Sequence, residues 1–250
     1  MSILLRGLRR VSKSAFPATG WTRRKTGVRF MSDGNSQSTE AFKLLYPEAP
    51  SKDHSDLATF LSYVERTQLS KRTSVYQGTH YEYTVADTLS RYGFFLKRVG
   101  GASDRGTDLL GTWKLPSTSH TMQVILQCKS GARAVGPMYV RELKGAIAVA
   151  PPGWRNGSVL GLMVGEKPAT KGVLGEMHSA ENALGYVCCS KEGEVRQLLW
   201  NLKAQDIGLQ GVSVGVRYEG KGEGESKTLV LLRNGKALPL LKNKKKKSAE

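Results

Sequence analysis

Asp108, Gln127 and Lys129 stand on two β-rich runs, DLLGTW (108–113) and TMQVILQCK (121–129), which flank a Pro/Ser/Thr turn at 116–119. Such runs separated by turn residues read as a hairpin. With the turn roughly symmetric about Thr118 and Ser119, an antiparallel ladder brings Asp108 opposite Gln127 to Lys129. Side chains alternate between the faces of a strand, so Gln127 and Lys129 share one side and Cys128 takes the other. A carboxylate, an amide oxygen and an ammonium on one face suit metal-assisted phosphodiester hydrolysis. The oxygens hold a divalent ion, and the cation positions or deprotonates water and balances phosphate charge. The same spacing also serves an ordinary strand pair in which Asp108 and Lys129 form a half-exposed ion pair.

The elements around this hairpin decide what else can reach it. Tyr81, Val85 and Leu89 make an apolar stripe over a helix expected from Gly78 to Tyr92, with Gly93 as its stop. Glu82 sits beside that stripe. It is either a solvated helix acid or, because the helix leads directly into a strand at 94–99, an acid aimed at the strand ends. Gly100, Gly101 and Gly106 form a loop between strands. No Gly-Lys-Ser/Thr follows, so this is not a phosphate-cradling nucleotide loop. Asp104 is expected to hydrogen-bond within that loop, with direct metal contact the alternative. After Lys129 come a turn bearing Arg133 and a helix expected over Tyr139 to Val149. Arg133, Arg141 and Lys144 could meet a phosphate backbone or form a solvated face.

The pattern Gly100-Gly101-x-x-Asp104-x-Gly106-x-Asp108-Leu-Leu, followed by Gln127-x-Lys129, resembles the core motif of Mrr-like PD-(D/E)xK nucleases. The likeness continues upstream in Gly78-x-x-Tyr-Glu82-x-x-Val85-x-x-x-Leu89-x-x-x-Gly93-Phe94 and downstream in Val140-Arg141-Glu142-Leu143-Lys144-Gly145-Ala146. A basic leader followed by such a domain also looks like the fungal mitochondrial proteins required for respiratory growth. The resemblance implies a restriction-endonuclease-like three-layer α/β/α sandwich around a mixed central sheet, here with an extra C-terminal β-hairpin. It implies Asp108 as principal metal ligand, Gln127 as second ligand, Lys129 as catalytic lysine and Glu82 as the acid completing the set, with Mg2+ or Mn2+ as cofactor. Gln127 stands where a carboxylate is more usual in the superfamily, although Mrr-like members carry Gln there. The substrate implied is DNA, with RNA open, and superfamily members act as monomers and as homodimers.

Elsewhere the periodicity predicts a helix after Asp53, with Leu57, Phe60, Leu61 and Val64 inward and Ser55 or Asp53 as cap. A buried strand is expected over 158–164, a helix over 170–184, a strand over 185–190 and a helix over 195–202. Strands over 211–218, 228–233 and 237–241 follow, the last two joined by an Asn234-Gly235 turn. Cys128, Cys188 and Cys189 lack metal-ligand spacing, as do the four histidines.

The formal charge of +17 is uneven. Residues 1–32 hold eight Lys/Arg and no acid, and residues 242–250 hold five Lys and one Glu. Leu4, Leu5, Leu8 and Val11 oppose Arg6, Arg9, Arg10 and Lys13 on a helix, which is the make-up of a mitochondrial presequence. A disordered basic arm is the alternative. No run approaches the roughly 20 apolar residues of a membrane span. The organisation expected is a presequence at 1–31, a linker at 32–50, a helical segment at 51–75, the nuclease core at 76–202, a β extension at 203–241 and a basic tail at 242–250. The functional expectation is a metal-dependent DNA endonuclease of the mitochondrial matrix. The alternative is a nucleic-acid-binding factor on a nuclease scaffold.

Overall fold

The computed structural model describes residues 46–101, 106–155, 158–219 and 226–242. The expected presequence, most of the linker, Asp104 and the Lys244–Lys247 tail lie outside the described residues.

Helix α1 (Leu57–Thr67) buries Phe60 and Val64. Its cap is Asp56, rather than Ser55 or Asp53, because Asp56 completes a reciprocal capping box. The Asp56 carboxylate accepts from Thr59 N at 2.9 Å, and Asp56 N donates to Thr59 Oγ1 at 3.1 Å. Helix α2 (Ser74–Ser90) starts four residues before the expected Gly78, with Thr73 Oγ1 accepting from Tyr76 N. It leads through Gly93 into β1 (Phe94–Arg98), β2 (Leu109–Lys114) and β3 (Thr121–Lys129). Then come α3 (Pro137–Ala148), β4 (Val159–Gly165), α4 (Lys171–His178), β5 (Leu184–Cys189) and β6 (Val195–Trp200).

These six strands lie side by side in chain order. The first three form an antiparallel meander; β3, β4 and β5 run parallel, and β6 returns antiparallel. Parallel neighbours need crossovers, which α3 and α4 supply. Both helices pack into the apolar cluster that holds Leu110, Ile125 and Met163 on one face of the sheet. Two crossovers of the same hand that step in the same direction must share a face. Helix α2 packs on the other face, where Tyr81, Val85 and Leu89 meet Leu109, Val124 and Leu126. Covered on both sides, β4 is buried at all seven residues, as its unbroken apolar run predicts. Two tyrosines tie α2 and the turn after it across the layers: Tyr81 Oη donates to Cys189 O at 2.9 Å, and Tyr92 Oη to Leu229 O at 3.0 Å.

Two expected helices change. The expected helix over 170–184 ends at His178, and Leu184 already belongs to β5. The segment 195–202 is not helical. Val195, Leu198, Leu199 and Leu202 do fit a helical stripe, but residues 190–194 form a hairpin loop. Ser190 N donates to Glu194 O at 2.9 Å, and Ser190 Oγ accepts from Glu192 N and Glu194 N. The chain is thereby directed along β5, and ladder pairing overrides the local pattern. A short helical turn follows, α5 (Leu202–Ala204), continued by a turn over Gln205–Leu209 that Gly208, at φ of +136°, kinks out of helical conformation.

The C-terminal part is a three-stranded antiparallel sheet of β7 (Val212–Glu219), β8 (Ser226–Arg233) and β9 (Lys236–Ala237). Asn234 and Gly235 both have positive φ, as the predicted two-residue turn requires. Strand β9 is two residues long and does not extend to Leu241. Leu229, Leu231 and Leu238 enter the same cluster as α2, so this sheet covers part of the α2 face.

Candidate active site at the β2 and β3 strand ends

The β2–β3 ladder pairs Leu109 with Leu126 and Lys114 with Thr121, which sets Asp108 beside Gln127. Asp108 is tied down through its backbone: its carbonyl accepts from Val99 N and Gly100 N, both at 2.9 Å, and its N–H donates to Leu126 O at 3.0 Å. Its carboxylate accepts from Cys128 N at 2.6 Å. That oxygen therefore reaches across to the end of β3, as the hairpin reading expected. A Cβ on Gly100 would stand 3.1 Å from Asp108 Cα, so a side chain there would crowd the acid.

Gln127 and Lys129 project to the α3 face and meet a residue the sequence reading left without a role. Glu142 Oε1 accepts from Gln127 Nε2 at 2.7 Å and stands 3.6 Å from Lys129 Nζ. The contact fixes the amide orientation, because an ionised carboxylate accepts only and must face the NH2 end. Gln127 is 1% exposed, and its Oε1 is buried with no partner. Lys129 Nζ also lies 4.7 Å from the centre of the Tyr139 ring. Tyr139 and Glu142 are three apart on α3 and so share its side over the strand end. Glu166, just past β4, accepts from Gly131 N at 2.6 Å and anchors the turn after Lys129.

Glu82 lies on the opposite, α2 face. Its carboxylate accepts from Arg98 Nε at 2.5 Å, both side chains being 13% exposed. Burial pushes the Cys128 thiol well up, and the Asp108 and Glu82 carboxylates push it further. Cys128 is thus a neutral thiol rather than a thiolate ligand. The three basic residues expected to meet phosphate divide: Arg133 is exposed in the turn after β3, whereas Arg141 (2.6 Å) and Lys144 (3.5 Å) both pair with Glu176 of α4. Those contacts hold the Glu176 carboxyl below its usual range, chiefly through the Arg141 hydrogen bond.

Among the described residues, no group of three or more His, Cys, Asp and Glu is placed to hold a metal ion. A divalent cation here would therefore need the Gln127 amide oxygen beside the Asp108 carboxylate. The residues fit that requirement. A buried acceptor without a donor costs about 1–3 kcal/mol, and a hard cation seeks such an oxygen.

The family model described as "Required for respiratory growth protein 7" matches residues 73–123 and 115–218, which take in α2 to β7 and the whole site. The chain belongs to that family. A protein of Zygosaccharomyces rouxii named "Required for respiratory growth protein 7, mitochondrial" is 28% identical over 169 residues, covering 51% of this chain and 69% of its own length. A protein of the same name from Vanderwaltozyma polyspora is 34% identical over 84 residues, 29% of this chain and 34% of the relative. An uncharacterized mitochondrial protein of Schizosaccharomyces pombe is 34% identical over 99 residues, 39% of this chain. That match spans 40% of the fission-yeast protein. No solved structure matches. No helix among the described residues is long and apolar enough to cross a membrane.

Proposed function

We propose that the chain is a metal-dependent nuclease of restriction-endonuclease-like fold that hydrolyses DNA phosphodiester bonds in the mitochondrial matrix and serves respiratory growth through genome maintenance. The observation that carries the reading is the buried, unpartnered Gln127 Oε1 beside Asp108, with the Lys129 ammonium two residues along the same strand face. The order of α2, the antiparallel meander β1–β3, α3 and parallel β4 supports the fold, since it is the core order that the motif resemblance implies. The mitochondrial and respiratory-growth names of the relatives support the setting.

Asp108 and Gln127 would hold Mg2+ or Mn2+. What the ion supplies when bound is polarisation of a phosphate oxygen and a lowered pKa for the attacking water. The Lys129 ammonium orients that water and stabilises the extra negative charge on the phosphorane-like transition state. Tyr139 and Glu142 fix where it does so, from the ring face and from a carboxylate 3.6 Å away. Arg133, exposed beyond the strand end, would meet the flanking phosphates.

The test is incubation of the full chain with supercoiled, linear and branched DNA and with RNA, in Mg2+, Mn2+ or EDTA, beside Asp108→Ala and Lys129→Ala. The expected outcome is metal-dependent cutting of DNA that both substitutions abolish, with DNA binding surviving in Lys129→Ala. Binding without cutting under every metal would refute the enzyme and leave a nucleic-acid-binding factor on this scaffold.

A further inference from the structure

We propose that Glu142 is the second carboxylate of the divalent-cation site and supplies the negative charge that Gln127 lacks. The inference rests on the metal-dependent reading given above and assigns its missing acid. Affinity at hard-oxygen sites rises with the number of charged ligands. With an amide at 127, Asp108 is the one carboxylate that the hairpin itself brings to the strand ends, and Lys129 on the same strand carries the opposite charge.

Glu166 is taken up by Gly131 N at 2.6 Å and Lys191 Nζ at 3.6 Å, which leaves two acids that could make up the deficit. Glu82 is already matched by Arg98 at 2.5 Å in a largely buried pair, so recruiting it would strand a guanidinium away from water. Glu142 is differently placed. Its side chain is 44% exposed, and among the described residues its contacts, with Gln127 Nε2 and Lys129 Nζ, both fall on Oε1. Oε2 remains for a ligand while Oε1 is held in position. The second, independent observation is the Gln127 amide itself. Its Nε2 reaches Glu142 at 2.7 Å, and the Oε1 of the same amide is buried with no hydrogen-bond partner. Gly106 keeps the approach clear, since a Cβ there would stand 3.2 Å from Gln127 Nε2 and 3.3 Å from Glu142 Oε1. Gln127 therefore serves twice, as a neutral oxygen ligand and as the clamp that aims Glu142.

The test is calorimetric titration of Mn2+ into the full chain and into Glu142→Gln, Glu82→Gln and the double variant Gln127→Glu/Glu142→Gln, with circular dichroism confirming the fold of each. Glu142→Gln keeps the shape and removes the charge, and it should weaken Mn2+ about tenfold or more; Glu82→Gln should change it by less than about twofold. The double variant returns a carboxylate to the strand and should recover most of the loss. Mn2+ binding to Glu142→Gln at wild-type strength, or a large loss confined to Glu82→Gln, would overturn the assignment. If the wild-type chain binds Mn2+ and cuts DNA while Glu142→Gln binds equally well, the nuclease reading stands and only Glu142 falls. If the wild-type chain neither binds Mn2+ nor cuts, both fall together.

Discussion

Gly106→Ala is expected to damage the site through two effects that can be separated. Gly106 has φ of +81°, a left-handed conformation that costs an L-residue about 1–2 kcal/mol. For a domain of this size each kcal/mol lowers Tm by about 2–4 °C, so the backbone alone predicts a fall of about 2–8 °C. The added methyl would also stand 3.2 Å from Gln127 Nε2 and 3.3 Å from Glu142 Oε1. Carbon packs comfortably against other atoms at about 3.5–4.0 Å, so one of these groups must give way by a few tenths of an ångström. Gly235→Ala is the control. Its φ is +77°, and a Cβ there meets nothing within 4 Å, so it carries the backbone cost without the wedge. Thermal melts should show a fall of about 2–8 °C in Gly235→Ala and at least as large a fall in Gly106→Ala. Metal-dependent DNA cutting, measured well below either Tm, should drop about tenfold in Gly106→Ala and stay at wild-type level in Gly235→Ala. Wild-type cutting by Gly106→Ala would refute the argument that Gln127 and Glu142 are a positioned pair.

Arg98→Met leaves Glu82 in a largely buried position without its cation and should cost about 3 kcal/mol in denaturant unfolding. Adding Glu82→Leu should recover most of that loss, and a double variant no more stable than Arg98→Met would contradict the pairing argument. His54 is held below its ordinary pKa first by burial and then by the Arg98 charge, with Asp53 opposing. Its ring packs on Phe60, Tyr63 and Tyr83, and Nδ1 lies 2.9 Å from Tyr83 Oη. Because the folded pKa lies below the unfolded value of 6.5, the native state binds fewer protons between the two. The stabilisation is complete above pH 6.5 and is lost as pH falls through the folded pKa. Melts at pH 7.5 and 5.0 should therefore show a larger drop for the wild type than for His54→Phe; parallel drops would count against the neutral ring.

Where a function depends on alternation along one strand, the sequence is a good guide. A turn near Thr118 and a period of two are enough to set Asp108 beside Gln127 and to put Gln127 and Lys129 on one face. Contacts between elements are a different matter. Arg98 lies sixteen residues after Glu82, on the next strand, and no local spacing marks the two as partners. On α3, the cations Arg141 and Lys144 suggest either a phosphate contact or a solvated face, yet both reach Glu176 on the neighbouring crossover helix. The acid between them in the sequence, Glu142, turns instead to the strand ends. Its signal was available in part, because Tyr139 and Glu142 are one helical step apart, but only the β3–α3 packing shows that this step overlies Gln127 and Lys129. Strand β6 failed for the opposite reason: its leucines fit a helical period, and the hairpin loop closed by Ser190 prevailed.

The division of acids between the two faces of the sheet carries a consequence for how a neutral Gln127 can be tolerated. On the α2 face, Glu82 and Arg98 cancel within 2.5 Å, so that side contributes little field to a cation at the strand ends. On the α3 face, Glu142 faces a lysine at 3.6 Å, a looser pair in which the ammonium keeps a third of its side chain in solvent. A phosphate arriving with a divalent ion offers Lys129 another anion and gives Glu142 another cation, so both halves of the pair can exchange partners without either being left unpaired. A carboxylate at 127 would instead crowd Glu142 at the distance where the amide now donates, and two like charges that close would not both stay ionised. The amide at Gln127 and the acid at Glu142 are therefore alternatives to a strand carboxylate, and each makes sense only in the presence of the other.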